Sequence, residues 1–594
     1  MRRFVLGLFA AIGVVAVLAI LGAGIAVWRL ASSRPALPKS IILTAELGRD
    51  LVEGPRQNEL TELLTGRKAT MRGLLDALER GAEDSRVRGL YAHIGGDSLG
   101  LAQVQEVRDA IQAFRARGKF AIAFSESFGE FGGGTRPYYL ATAFNEIWLQ
   151  PLGSVGLIGL RAESPFLRGL LDRLGIEPSF EHREQYKSAA NILTETEMTA
   201  PQREELESLL TGMTGQIARG IAETRHLSEG AVQPLIDKAP LFADEAKEAQ
   251  LVDRIGYRDE ALAEAYHLAG SGAELMSLSR YIDGAGRPHT KGPGIALIYG
   301  TGLIVQGGGE KNPLTQTAEM NAREVARAFR DAFRDSDVRA ILFRIDSPGG
   351  SAVASETIWR EVVRARERGK PVIVSMSSTA GSGGYYIAAP ADKIVAEPAT
   401  LTGSIGVLAG KLVIAELLNK LRINVDTVER GANSGMFSAL RDFTPAERQR
   451  LDAFLDQTYR GFKAHVAAGR RLSDEAVEAV AKGRVWSGED AKKNGLVDEL
   501  GGYAVALRLA RETAKLAPDV PVKLVTFPRE KSFTEIMFDR LLDRERDGDS
   551  AAPSGALARA WTALAALTSP LEALWGGVLE DPGVLRMPPL GEIR

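Results

Sequence analysis

The run Ala380-Gly381-Ser382-Gly383-Gly384-Tyr385-Tyr386 has the residues of a nucleophile turn. It follows an apolar run, Val372 to Val374, that reads as a strand, and it precedes a pattern that reads as a helix. A serine at such a sharp strand-to-helix turn is exposed for attack, and the helix start supplies free N–H groups. An ordinary glycine turn with an incidental serine has the same composition. The second element of chemistry is Asp346-Ser347-Pro348-Gly349-Gly350, just after an apolar run ending at Ile345. Paired glycines at a strand end can bring backbone N–H groups close to a substrate carbonyl, where an oxyanion hole needs its donors. One donor would come from Gly349 or Gly350 and the other from Gly383.

A serine nucleophile needs a base. The chain has six histidines: His93, His182, His226, His267, His289 and His465. A serine-first triad would require His465, which sits in the amphipathic run Phe462-Lys463-Ala464-His465-Val466 and reads as a surface or packed helix residue. Lysine is the remaining option. Its ordinary pKa near 10.4 leaves little neutral amine at pH 7, so burial must lower it by several units. Sequence pattern does not choose among the lysines.

The elements that must position these groups come twice. Asp84-Ser85-Arg86-Val87-Arg88 returns 251 positions later as Asp335-Ser336-Asp337-Val338-Arg339. Each is followed by an apolar run, Gly89 to Ile94 and Ala340 to Ile345, then by a helical pattern ending in Arg-Gly-Lys at Lys119 and Lys370. Val104, Val107, Ile111 and Phe114 fall on one helical face, as do Ile358, Val362 and Ala365. Tyr138-Tyr139 matches Tyr385-Tyr386, Gly153-Ser154-Val155-Gly156 matches Gly403-Ser404-Ile405-Gly406, and Leu251-Val252-Asp253 matches Leu496-Val497-Asp498. Strands alternating with amphipathic helices predict an α/β fold: two tandem domains with parallel sheets. The boundaries expected are residues 41–283 and 294–530, joined by a linker over 284–293, with a C-terminal tail over 531–594. Within the tail, Asp543 to Gly555 reads as a linker, and the apolar stretch Ala556 to Leu579 as a packed helix or subunit contact rather than a membrane contact, since an uninterrupted span of about 20 residues is lacking.

The 594 residues are 45% hydrophobic and 25% charged, an ordinary globular balance. Net charge is −3, which gives no reason to expect a nucleic-acid partner. With no cysteine, disulfides, thiolate nucleophiles and Cys-ligated zinc are excluded. Phe4 to Trp28 carries no charge over 25 residues. A helix of that length, about 37 Å, crosses a hydrocarbon core of about 30 Å and exceeds the apolar region of about 7–15 residues in a cleaved signal peptide. Residues 1–30 are therefore expected to be an uncleaved transmembrane anchor.

Taken together, Asp346 to Gly350, Ser375-Met376 through Tyr385, and Thr400-Leu401-Thr402-Gly403-Ser404-Ile405-Gly406 resemble the signal peptide peptidase SppA family. The double length, the repeat and the apolar N-terminal run resemble its long form, over about residues 41 to 530. The Ser-Pro-Gly-Gly run alone is shared with ClpP-like and crotonase-like proteins. The resemblance implies a ClpP/crotonase-like fold and a Ser-Lys serine protease acting on signal-peptide remnants and other short apolar peptides, with no metal or cofactor. It places the base in the Gln185-Tyr186-Lys187-Ser188 segment, so that Lys187 serves Ser382, with Ser404 orienting the amine. It also implies a homotetramer in the bacterial inner membrane with its catalytic domains outside the cytoplasm. Aligning the repeats sets Lys187 opposite Gly435 and Ser382 opposite Thr135, so each copy carries half a site. Two other readings share the motifs: a crotonase-like acyl-CoA protein, and a membrane-tethered scaffold with a vestigial site.

Overall fold

The computed structural model describes residues 37–48, 51–54, 69–307, 319–529 and 584–587. The expected anchor, most of the tail and the apolar stretch 556–579 lie outside the described residues. Among those described, no helix is long and apolar enough to cross a membrane.

In the first half the chain forms β1 (Ile41–Leu47), β2 (Val87–Ile94), α1 (Leu101–Ala116), β3 (Phe120–Ser125), α2 (Thr135–Ala141) and β4 (Glu146–Leu149). These strands pair in parallel in the order β4-β3-β2-β1, with Arg254–Ile255 beyond β4 and Glu274–Ser277 beyond β1. Val104, Val107, Ile111 and Phe114 form the buried face of α1, as their spacing predicts. Two later elements of this half leave the sheet: β5 (Glu177–His182) and α3 (Ala200–Arg225).

The second half repeats the plan with β6 (Gly294–Thr301), β7 (Val338–Ser347), β8 (Gly349–Ser351), α4 (Ala352–Glu367), β9 (Val372–Gly381), α5 (Gly383–Ala388), β10 (Lys393–Ala396), β11 (Leu401–Gly403), β12 (Leu408–Val413), α6 (Pro445–Arg470) and β13 (Val485–Ser487). Its main sheet is parallel through β9-β7-β6, with β10 and β11 both on β9, and β13 closes the edge antiparallel to β11. The duplication extends to single hydrogen bonds. Lys119 Nζ donates to the Asp84 and Val87 carbonyls, and Lys370 Nζ to those of Asp335 and Val338. Tyr138 OH donates to the Leu251 carbonyl at 2.8 Å, and Tyr385 OH to that of Leu496 at 2.9 Å.

Three features go beyond the sequence reading. β9 continues past Val374 to Gly381, because the polar residues that end the apolar run have buried partners: Ser375 Oγ accepts from Arg344 at 2.8 Å and Ser377 Oγ donates to Glu53. The expected linker is ordered, with a helix running to Ala285 and the His289 carbonyl accepting the N–H of Leu524 at 2.9 Å. A third, mixed sheet joins the halves: β5 pairs antiparallel with β12 over six residue pairs, from Glu177 opposite Val413 to His182 opposite Leu408. A short strand near the C-terminus, β14 (Val584–Arg586), lies between β8 and β12 in that sheet.

Candidate active site

Ser382 sits at the junction of β9 and α5 with φ 54° and ψ −114°. A residue with a side chain rarely adopts this conformation, and such strain persists where surrounding structure imposes it. Here the Ser382 N–H donates to the Gly403 carbonyl at 2.7 Å, and its carbonyl accepts the N–H of Tyr386 at 2.8 Å. The flanking glycines are required by space. A Cβ on Gly383 would stand 2.7 Å from Ser355 Oγ and 3.2 Å from both Gly349 Cα and Gly350 N. One on Gly350 would strike the Ile304 carbonyl oxygen at 2.2 Å. The backbones of Gly383 and the Gly349–Gly350 pair therefore meet beside the Ser382 turn. The Gly349 N–H also donates to Ser347 Oγ at 3.2 Å.

Lys187 comes from the other half. The β5–β12 ladder carries the chain across the boundary, and the Arg183 N–H extends it by donating to the Val407 carbonyl at 2.9 Å. Tyr186 N–H then donates to the Lys482 carbonyl at 3.1 Å, and the Lys187 backbone lies flat on Gly483, where a Cβ would stand 2.5 Å from Lys187 N. Gly406 likewise leaves room for the lysine stem, its Cβ position being 3.1 Å from Lys187 Cδ.

The amine ends 2.8 Å from Ser382 Oγ, 3.0 Å from Ser404 Oγ and 3.1 Å from the Ser404 carbonyl oxygen. Lys187, Ser382 and Ser404 are each 0% exposed. Burial pushes the Lys187 pKa well below the usual lysine value, against an opposing pull from Glu205. A neutral amine has two N–H donors and one lone pair. Three oxygen neighbours fit that valence: two donations to Ser404 and the lone pair facing the Ser382 hydroxyl.

The expected residues thus converge: Lys187, Ser382, Ser404, Gly349, Gly350 and Gly383 form one cluster. His465 lies elsewhere in function, stacked on Trp359 at 3.8 Å and 3.3 Å from a Glu356 carboxylate oxygen, a packed helix residue as read. Thr135, the counterpart of Ser382, donates its hydroxyl to the Gly159 carbonyl at 2.9 Å. Near it a cavity of about 900 Å³ opens between Gly95–Ser98, Glu126 and Gly129–Gly133, without a serine–lysine pair. Gly435 sits against the side chains of Glu429 and Arg441.

Sequence reasoning missed Glu205. It is 1% exposed on α3, accepts the Val485 N–H at 2.7 Å through Oε2, and its pKa is raised to about 8 by burial. Its Oε1 has no hydrogen-bond partner among the described residues. Flanked by Glu204 on an otherwise amphipathic helix, it carries no sequence signal.

Comparison with known proteins identifies the family. The sequence model described as "Peptidase family S49" matches residues 115–271 and 364–517, one segment in each half. The chain belongs to peptidase family S49 and is a serine protease. It is 32% identical over 458 residues to the chloroplastic serine protease SPPA of Arabidopsis thaliana, covering 76% of this chain and 66% of that one. It is 32% identical over 460 residues to Protease 4 of Salmonella typhi, covering 75% and 72%. Among solved structures it is similar to the 1510-N membrane-bound stomatin-specific protease in complex with a substrate peptide, at 16% identity and a TM-score of 0.26, over 42% of this chain and 99% of that one.

Proposed function

We propose that this chain hydrolyses peptide bonds with a Ser-Lys dyad, Ser382 as nucleophile and Lys187 as general base. The observation that carries the reading is the 2.8 Å contact between a fully buried amine and the hydroxyl of a strained turn. Neutral Lys187 takes the Ser382 proton as Oγ attacks the substrate carbonyl. The resulting oxyanion is held by the N–H of Gly383 and by the Gly349–Gly350 pair. Lys187 then protonates the departing amine, the C–N bond breaks, and water cleaves the acyl-enzyme by the same route. Ser404 holds the lysine through both its hydroxyl and its carbonyl, fixing the direction of the lone pair. This arrangement supports a ClpP/crotonase-like domain plan, with one complete site built from two half-sites.

The substrates proposed are short apolar peptides, cleaved signal peptides among them. A relative from Enterococcus faecium bears the name signal peptide peptidase SppA, with 33% identity over 213 residues. Tethering by residues 1–30 in a bacterial inner membrane, an extracytoplasmic catalytic part and a homotetramer belong to the same proposal. Replacing Ser382 or Lys187 by Ala should lower hydrolysis of a fluorogenic apolar peptide by at least about 10²-fold, the low end for loss of a catalytic group. A fluorophosphonate should label the wild-type chain at Ser382. Substantial hydrolysis by both variants would refute the dyad.

A further inference from the structure

The antiparallel strand β14 occupies the groove beside the candidate active site. Gly349 faces Arg586, Gly350 faces Leu585 and Ser351 faces Val584, while Leu408 of β12 also pairs with Val584. The ladder continues one residue further, with the Met587 N–H donating to the Pro348 carbonyl at 2.7 Å. A segment of the chain thus runs along the paired glycines as an extended peptide, hydrogen-bonded through its backbone. This is how a peptide ligand adds itself to an open sheet edge.

Met587 extends the likeness to a side-chain pocket. It is 7% exposed and clusters with Leu206 and Leu209 of α3 and with Val485 of β13. It also lies against Gly381, the residue before Ser382, where an added Cβ would stand 2.6 Å from Met587 Sδ. The pocket is apolar, draws its walls from both halves, and holds an unbranched, adaptable side chain.

The residue that follows is Pro588. If Met587 supplies the acyl side of a scissile bond, the leaving nitrogen belongs to a proline ring. That nitrogen carries no N–H in the peptide, and its ring carbons crowd the approach to the bond. Serine attack on the Met587 carbonyl would have to expel a ring amine past this obstruction.

We propose that Val584–Met587 is a tethered pseudosubstrate. It fills the peptide groove, places Met587 in the side-chain pocket, and resists cleavage because Pro588 follows. This rests on Ser382 being the nucleophile. Because the segment is covalently tethered, its effective concentration can reach the order of millimolar, so weak contacts suffice to compete with substrate. Substrates that displace it must be extended peptides with an unbranched apolar side chain at the matching position.

The test uses the full chain and a fluorogenic apolar peptide. Met587→Asp puts a charge in the apolar pocket and should release the segment, lowering KM at least threefold with kcat within twofold of wild type. A synthetic peptide covering residues 582–588 should then inhibit that variant competitively. Unchanged KM together with no inhibition would overturn the proposal. In the Pro588→Ala chain the Met587 carbonyl should be attacked by Ser382. The bond to residue 588 breaks, its amine leaves with the Lys187 proton, and water releases a chain ending at Met587. Mass spectrometry should find that product, and should not find it when Ser382→Ala is added. An intact Pro588→Ala chain would overturn the placement of Met587 on the acyl side. Binding of the labelled peptide to the Met587→Asp/Ser382→Ala chain, read by fluorescence anisotropy, needs no catalysis. It decides the tail's docking even if Ser382→Ala were to retain hydrolysis and the dyad itself were wrong.

Discussion

A buried lysine is costly to the fold and useful to the chemistry for the same reason. With no solvent to stabilise the ammonium, burial pushes the Lys187 pKa well below the usual lysine value, which favours the amine whose lone pair can accept a proton. Its folded pKa lies below the unfolded value, so between the two the unfolded chain binds the extra proton and stability rises with pH. Lys187→Met should therefore abolish hydrolysis yet raise the melting temperature near neutral pH, with the gain shrinking as pH approaches the unfolded lysine pKa near 10.4. Thermal melts of both chains across that range check the sign. Glu205 works in the opposite direction. Its pKa is raised to about 8, so the folded chain holds a proton that the unfolded chain releases from about pH 4.3 upward. The stability this confers is complete below that pH and is lost as pH rises through 8. Glu205→Gln should flatten the decline in melting temperature between pH 6 and 9, since the amide stays neutral throughout. An unchanged slope would mean that another group titrates there.

At the scale of elements, the site depends on how closely two strands from different halves approach. Gly410 on β12 faces Phe180 on β5, and a Cβ there would stand 2.3 Å from the Ser179 carbonyl oxygen. Gly410→Val should pry the ladder apart and draw the Lys187 segment away from Ser382. We expect loss of fluorophosphonate labelling with the far-ultraviolet circular dichroism of both sheets retained. A second tie is ionic. Arg344 on β7, 1% exposed in side chain, reaches Glu106 on α1 at 2.6 Å and Glu53 at 3.0 Å. Removing one partner of a buried ion pair strands the others, so Arg344→Leu should cost about 3–5 kcal/mol in denaturant unfolding. These inter-half contacts were the part not legible in the sequence. The parallel strands and α1 were readable because apolar spacing follows the local period, and the duplication because its marks recur at fixed offsets. Ser382 and the glycines were readable because a sharp turn admits few residue types. Lys187 was reached only through resemblance. Its stem packs on Gly406 and Gly483 and its amine meets Ser404, residues more than two hundred positions away, and that packing leaves no periodic trace. The continuation of β9 to Gly381 was hidden likewise, because the partners that let serines lie in a buried strand come from elsewhere in the fold.

The whole molecule resolves why a duplicated chain should keep both copies. The first half retains the sheet and the tyrosine anchored at Leu251, but Thr135 opens α2 without the positive φ of Ser382 and donates to the Gly159 carbonyl. The second retains the serine and receives its amine from the first. Because the lysine and the serine meet within one chain, the proposed dyad is complete in each chain, and assembly is not needed to create it. This gives a complementation test. A chain with Lys187→Ala and a chain with Ser382→Ala, co-expressed and co-purified, should remain inactive, because each holds one broken dyad and neither can lend its intact half across the short β5–β12 connection. If halves exchanged between neighbouring copies, the mixture would contain some sites with both residues, and labelling of Ser382 with peptide hydrolysis would return. Recovery of a sizeable fraction of wild-type activity would therefore show that the pairing seen within one chain is traded between chains in the assembled enzyme. Continued silence would place the dyad inside each chain.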